Sequence, residues 1–112
     1  MSESLATFVI SEADSVSTLS VFGEVDMSNV QDLRFNLSRL ALHKFMIRLD
    51  LTGVAYMDSH AIQAMFEFAT IAQTRPNAAE VVVGPNSVVG DLVTLTQLSD
   101  VITVRGLGGC HS

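Results

Sequence analysis

Between Phe45 and Gln73 the hydrophobic period changes from two residues to about 3.6, and that change confines the chain to a mixed α/β architecture. Phe45, Ile47, Leu49 and Leu51 face one way while Met46, Arg48 and Asp50 face the other, as in a strand with one more polar face. Thr52-Gly53 then reads as a break, and a short stretch holding Val54, Tyr56 and Met57 leads on. Beyond it Ile62, Met65, Phe66, Ala69 and Ala72 recur at helical spacing. The spacing predicts a helix from about Ser59 to Gln73, ended by Arg75-Pro76-Asn77, because proline disfavours helical geometry at the residue before it.

The rest of the chain repeats this alternation. Ala6 to Glu12 reads as a strand, Glu12-Ala13-Asp14-Ser15 as a polar turn and Val16 to Phe22 as a second strand, so the two form a hairpin. Gly23-Glu24-Val25-Asp26 leads into a helix. There Ser28 and Gln31 have the spacing of a capping box, and Val30, Leu33, Leu37, Leu40 and Ala41 form a core stripe. Phe35 and Leu42 fall on the opposite side, as a surface contact would require. Glu80 to Val83 is a further strand and Gly84-Pro85-Asn86-Ser87 a turn and cap. Val88 to Leu98 is a third helix, Val101 to Val104 a last strand, and a loose tail follows from Gly106. The expected order is β-β-α-β-α-β-α-β, with right-handed crossovers and a partly parallel mixed sheet.

Composition limits the functions open to such a chain. Its 112 residues suit one domain, with a core over about 6–106 and a flexible tail over 107–112. With 48% hydrophobic and 16% charged residues it is too apolar to be disordered. Arg48, Asp50, Glu67 and Asp91 interrupt every apolar stretch before it reaches the roughly 20 residues of a membrane span. Met1 to Thr7 carries Glu3 and no basic run, so the start does not read as a signal peptide and the expected compartment is the cytoplasm. A net charge of −6, with six Lys and Arg scattered singly, argues against nucleic acid and anionic membranes and for a protein partner. Cys110 is the single cysteine, so an internal disulfide is impossible, and no Cys/His cluster suggests a structural metal. Neither a metal nor a cofactor is expected.

Three polar constellations hold candidate chemistry. In Met57-Asp58-Ser59-His60-Ala61, Asp58 or Ser59 has the chemistry to cap the helix that follows. Capping alone is one reading. The other is that Ser59 takes a phosphate, which the amides and partial positive charge of a helix start would accommodate locally while about −1.5 to −2 charge is added to the surface. Asp58, Ser59 and His60 do not form a hydrolytic triad, because neighbours at a helix start point about 100° apart and no nucleophile elbow surrounds the serine. His60 shares a polar stripe with Glu67 and reads as solvated or as a neutraliser of a nearby phosphate. In the same helix Gln63, Glu67 and Thr70 form a narrow polar strip, while Ala64, Phe68 and Ile71 widen the apolar arc. That arc fits burial against a neighbouring helix, or a docking surface at Phe68 or Ile71. Glu24 and Asp26 form a loop carboxylate pair without a ligand set, and the tail cysteine has no fixed neighbours to tune it. No catalytic residue is expected.

These residues resemble the STAS domain of bacterial anti-sigma factor antagonists. The resemblance is carried by Phe22-Gly23-Glu24-Val25-Asp26, then Leu49-Asp50-Leu51-Thr52-Gly53-Val54, then Met57-Asp58-Ser59-His60-Ala61, in order over roughly 6–106. It implies one STAS-like domain over 1–112, a sheet with helices packed mainly on one face, and a non-enzymatic protein-binding switch. In that family the unphosphorylated domain binds an anti-sigma factor of the serine kinase type and frees a sigma factor in a stress response. The kinase phosphorylates the serine after the aspartate, and a phosphatase reverses this. The resemblance puts that serine at Ser59 and the partner-binding residues at Asp26, Ser28, Asp58, Ser59, His60 and Gln63. His60 stands where the family has a second serine, and Ala61 where it has glycine. A second STAS role, as an adaptor subunit of an ABC lipid transporter, is the alternative those two substitutions leave open.

Overall fold

The computed structural model describes residues 5–42, 46–73, 79–84 and 103–106. Its elements are β1 (Ala6–Ala13), β2 (Val16–Val25), α1 (Val30–Ala41), β3 (Met46–Met57), α2 (Ser59–Gln73), β4 (Ala79–Val83) and β5 (Thr103–Gly106). The strands form one mixed sheet in chain order, antiparallel between β1 and β2 and parallel from β2 through β5. The expected third helix, Val88 to Leu98, the proline stop at Arg75-Pro76-Asn77 and the tail beyond Gly106 lie outside the described residues.

The β1–β2 hairpin closes through Asp14 and Ser15, both at positive φ (52° and 65°), which is the two-residue turn whose twist matches the flanking strands. Ala6, Phe8 and Ile10 of β1 lie on the same face as Leu19 and Val21 of β2, Ile47, Leu49 and Leu51 of β3 and Val81 of β4. Both helices cover that face, α1 with Val30, Leu33, Leu37 and Leu40, and α2 with Ala61, Ala64, Met65, Phe68, Ala69 and Ala72. Phe68 is thus core, packed between sheet and α1, while Ile71 is exposed. Phe35 and Leu42 are exposed as their spacing requires, and the Arg39 guanidinium lies over the Phe35 ring at 5.8 Å.

Two expectations need correction. β2 does not end at Phe22 but runs to Val25, and β3 is not broken at Thr52-Gly53 but runs to Met57. The physical reason is a pair of bulges. Ser20 pairs with Asp50 but Phe22 with Gly53, and Gly23 pairs with Val54 but Glu24 with Tyr56, so β3 carries an extra residue at each place. Buried positions in β3 consequently change from alternation (Ile47, Leu49, Leu51) to every third residue (Leu51, Val54, Met57). That spacing conceals a strand from a period-two reading.

Candidate functional site

The bulged ends of β2 and β3 deliver two adjacent loops, Asp26 to Asn29 and Asp58, to the same end of the sheet. Asp58 N–H donates to the Val25 carbonyl at 3.1 Å, which ties the end of β3 to the end of β2. One oxygen of the Asp58 carboxylate, Oδ1, accepts from the amides of His60 (2.9 Å) and Ala61 (3.1 Å). Asp58 is therefore the N-cap of α2, and Ser59 is its first helical residue. The other oxygen, Oδ2, accepts the amide of Met27 at 3.0 Å.

The same carboxylate faces the His60 ring, with Nδ1 3.4 Å from Oδ2. Burial acts to raise the Asp58 pKa, but the amides of Ala61 and Met27 and the His60 side chain outweigh it, and the carboxyl is held below its usual value. No acidic residue lies in the first turn of α2, so this negative charge is confined to the cap.

Ser59 is exposed, and among the described residues its hydroxyl has no hydrogen-bond partner. His60 is half exposed, and Gln63, one turn along from Ser59, is also exposed. The structure thus brings Asp58, Ser59, His60 and Gln63 together on one helix start. It also narrows the expected phosphate cradle: Asp58 already occupies the amides of His60 and Ala61, so a phosphate on Ser59 would compete with its neighbour for them.

The loop before α1 corrects the capping-box expectation. The N-cap of α1 is Asn29, not Ser28, and no side-chain hydrogen bond caps the helix. Ser28 turns instead to Asp26, whose Oδ1 accepts from the Ser28 amide (2.9 Å) and hydroxyl (2.5 Å). Asn29 is buried; its Oδ1 accepts the Asp26 amide and its Nδ2 donates to the Glu24 carbonyl, each at 2.9 Å. Sequence reasoning missed Asn29 and Met27. Asn29 had a readable signal, since asparagine is as good a cap residue as serine. Met27, 69% exposed beside the Asp58 carboxylate, had none.

Between the helices, Arg34 of α1 pairs with Glu67 of α2 across a shallow groove of about 180 Å³ that Leu37, Ala64, Phe68 and Ile71 also line. Among the described residues no group of three or more His, Cys, Asp or Glu side chains is placed to hold a metal ion. No helix among them is long and apolar enough to cross a membrane.

Among the described residues, a parallel sheet extended by an antiparallel hairpin, two helices on one face and a serine opening the helix after the bulged central strand define a mixed-sheet α/β domain. The family model of the STAS domain matches residues 7–106, and the chain belongs to that family. An anti-sigma factor antagonist from Mycobacterium paratuberculosis superposes with a TM-score of 0.80 at 20% identity, over 89% of this chain and 85% of the other. A putative anti-sigma factor antagonist from Thermotoga maritima gives 0.70 at 19% identity, covering 90% and 87%. The anti-sigma factor antagonist SpoIIAA in its unphosphorylated form gives 0.65 at 12% identity, covering 92% and 89%. No curated protein sequence matches the chain.

Proposed function

We propose that this STAS domain is an anti-sigma factor antagonist. With Ser59 unmodified it binds an anti-sigma factor of the serine kinase type and so releases a sigma factor; phosphorylation of Ser59 ends the interaction. It works by binding and has no catalytic residue of its own. Asp26, Ser28, Asp58, His60 and Gln63 form the surface around Ser59 that the partner contacts.

The observation that carries this reading is the division of labour at the start of α2. Asp58 does the capping, which leaves the Ser59 hydroxyl exposed and unbonded, open to a kinase. Family membership supports it, as does the likeness in fold to proteins described as anti-sigma factor antagonists. A phosphate there sits beside the Asp58 carboxylate and adds about −1.5 to −2 charge to a surface that already carries Asp26. A partner shaped to the neutral serine then meets both desolvation cost and repulsion.

The test is to incubate the chain with serine-kinase anti-sigma factors and ATP, map any phosphate, and compare binding by wild type, Ser59→Ala and Ser59→Glu. The expected result is modification at Ser59, retained binding by Ser59→Ala and lost binding by Ser59→Glu. Absence of both binding and modification, with an ABC transporter complex captured instead, would replace the switch by the adaptor role.

A further inference from the structure

Among the described residues, one edge of the sheet is open at Phe8 and Ile10. β1 is eight residues long, ATFVISEA, and among the described strands it lies outermost, pairing with β2 alone. Natural edge strands are usually protected by lysine, proline or a bulge. β1 has none of these, its register with β2 is unbroken, and its one charged residue, Glu12, lies near its end.

The direction of the free backbone groups follows from the ladder. The Glu24 amide donates to the Leu5 carbonyl, and the two-residue turn closes on Ala13 and Val16. Hydrogen-bonded pairs in an antiparallel ladder alternate, so Thr7, Val9, Ser11 and Ala13 direct their backbone groups at β2. Phe8 and Ile10 direct theirs outward, and among the described residues those groups have no partner. Their side chains pack on the core, which holds this stretch of edge in place.

We propose that β1 is the seam of a homodimer, in which two copies pair antiparallel about Val9 and the two sheets become one. In that register Phe8 lies opposite the second copy's Ile10, and Ile10 opposite its Phe8. All of the outward amides and carbonyls of these residues are then satisfied by an arrangement that is its own complement, as two-fold symmetry requires. Val9, 46% exposed on the face away from the helices, meets its own copy at the close, non-hydrogen-bonded position on the axis. Charge permits this pairing: Glu12 falls opposite Ala6 of the other copy, so no carboxylate faces another. The start of α2 follows β3, with β2 intervening, so Ser59 stays open in the dimer. A strand-to-strand seam buries little surface, and the association is accordingly concentration-dependent.

Sedimentation equilibrium of the full chain over a concentration series reads the proposal directly. The expected mass rises from one chain toward two in the wild type. It stays at one chain in Val9→Lys, which sets two ammonium groups against each other on the axis while leaving an exposed site on a folded strand. A second readout does not depend on that variant folding. In a Cys110→Ser background, Val9→Cys is expected to form a reducible dimer under mild oxidation, since paired Cα atoms about 4.5 Å apart lie within disulfide reach, whereas Thr18→Cys on β2 stays single. One-chain mass at every concentration, a dimer that persists in Val9→Lys, or equal cross-linking at both positions overturns the proposal.

Discussion

The Asp58 carboxylate accepts the backbone amide of Met27, a residue 31 positions earlier, at 3.0 Å with the same side chain that caps α2. One carboxylate thus fixes both loops of the candidate site relative to each other. Asp58→Ala removes the cap and leaves the Met27 amide without its acceptor, with an expected loss of about 1–2 kcal/mol. Asp58→Asn keeps one acceptor oxygen for the helix amides, and its loss should be smaller. Urea denaturation of the two variants checks the order; equal losses would mean that the charge, not the cap, carries the stabilisation.

The same contacts set a pH dependence. Asp58 is held below the ordinary aspartate value of 3.8, so the folded state binds its proton less readily than the unfolded chain does. Its contribution is therefore complete above 3.8 and is lost as the pH falls through the lowered folded-state value. The stability gap between wild type and Asp58→Asn should be constant at neutral pH and narrow in acid. Because the His60 ring is among the groups that hold this carboxyl down, His60→Ala should raise the Asp58 pKa in a carboxyl NMR titration. An unchanged value would remove His60 from the site's electrostatics.

The sequence exposed the elements whose patterns are regular and hid those shaped by irregular geometry. The helix over Ser59–Gln73 is legible, because a cap residue at Asp58 or Ser59 and the apolar stripe that follows agree. The alternation in β3 was legible up to Leu51 and then lost, because two bulges shift the buried positions from every second to every third residue. Ser28 and Asn29 are adjacent candidates for one cap, and local preference ranks them equally. What decides between them is the Glu24 carbonyl and the Asp26 amide, both satisfied by the Asn29 side chain. The Asp58–Met27 bond depends on how the ends of β2 and β3 meet, which no local pattern encodes.

Gly23 holds the end of the hairpin in place. Its φ is +95°, and a Cβ there would lie 2.1 Å from the Leu5 carbonyl oxygen, a backbone atom that also accepts the Glu24 amide. Neither strain has a cheap relief, since moving Leu5 breaks the ladder. Gly23→Ala is expected to cost ~3 kcal/mol, read as a lower denaturation midpoint. A loss of about 0.5 kcal/mol or less, the ordinary range for a surface change, would show that this backbone can relax.

Gly53 poses the same question against a side chain. It pairs with Phe22 across the bulge, and a Cβ on it would lie 2.4 Å from Cδ1 of the Phe22 ring. The ring is 46% exposed on the face away from the helices and has room to swing aside. Gly53→Ala should therefore cost about 1 kcal/mol, the scale of an off-rotamer side chain, not that of a broken backbone. Phe22→Ala removes the obstacle, so in the double variant Gly53→Ala should cost little or nothing. A coupling of about 0.5 kcal/mol or more in that cycle is the expected signature. Additive losses would mean that the bulge itself, not the ring, requires glycine.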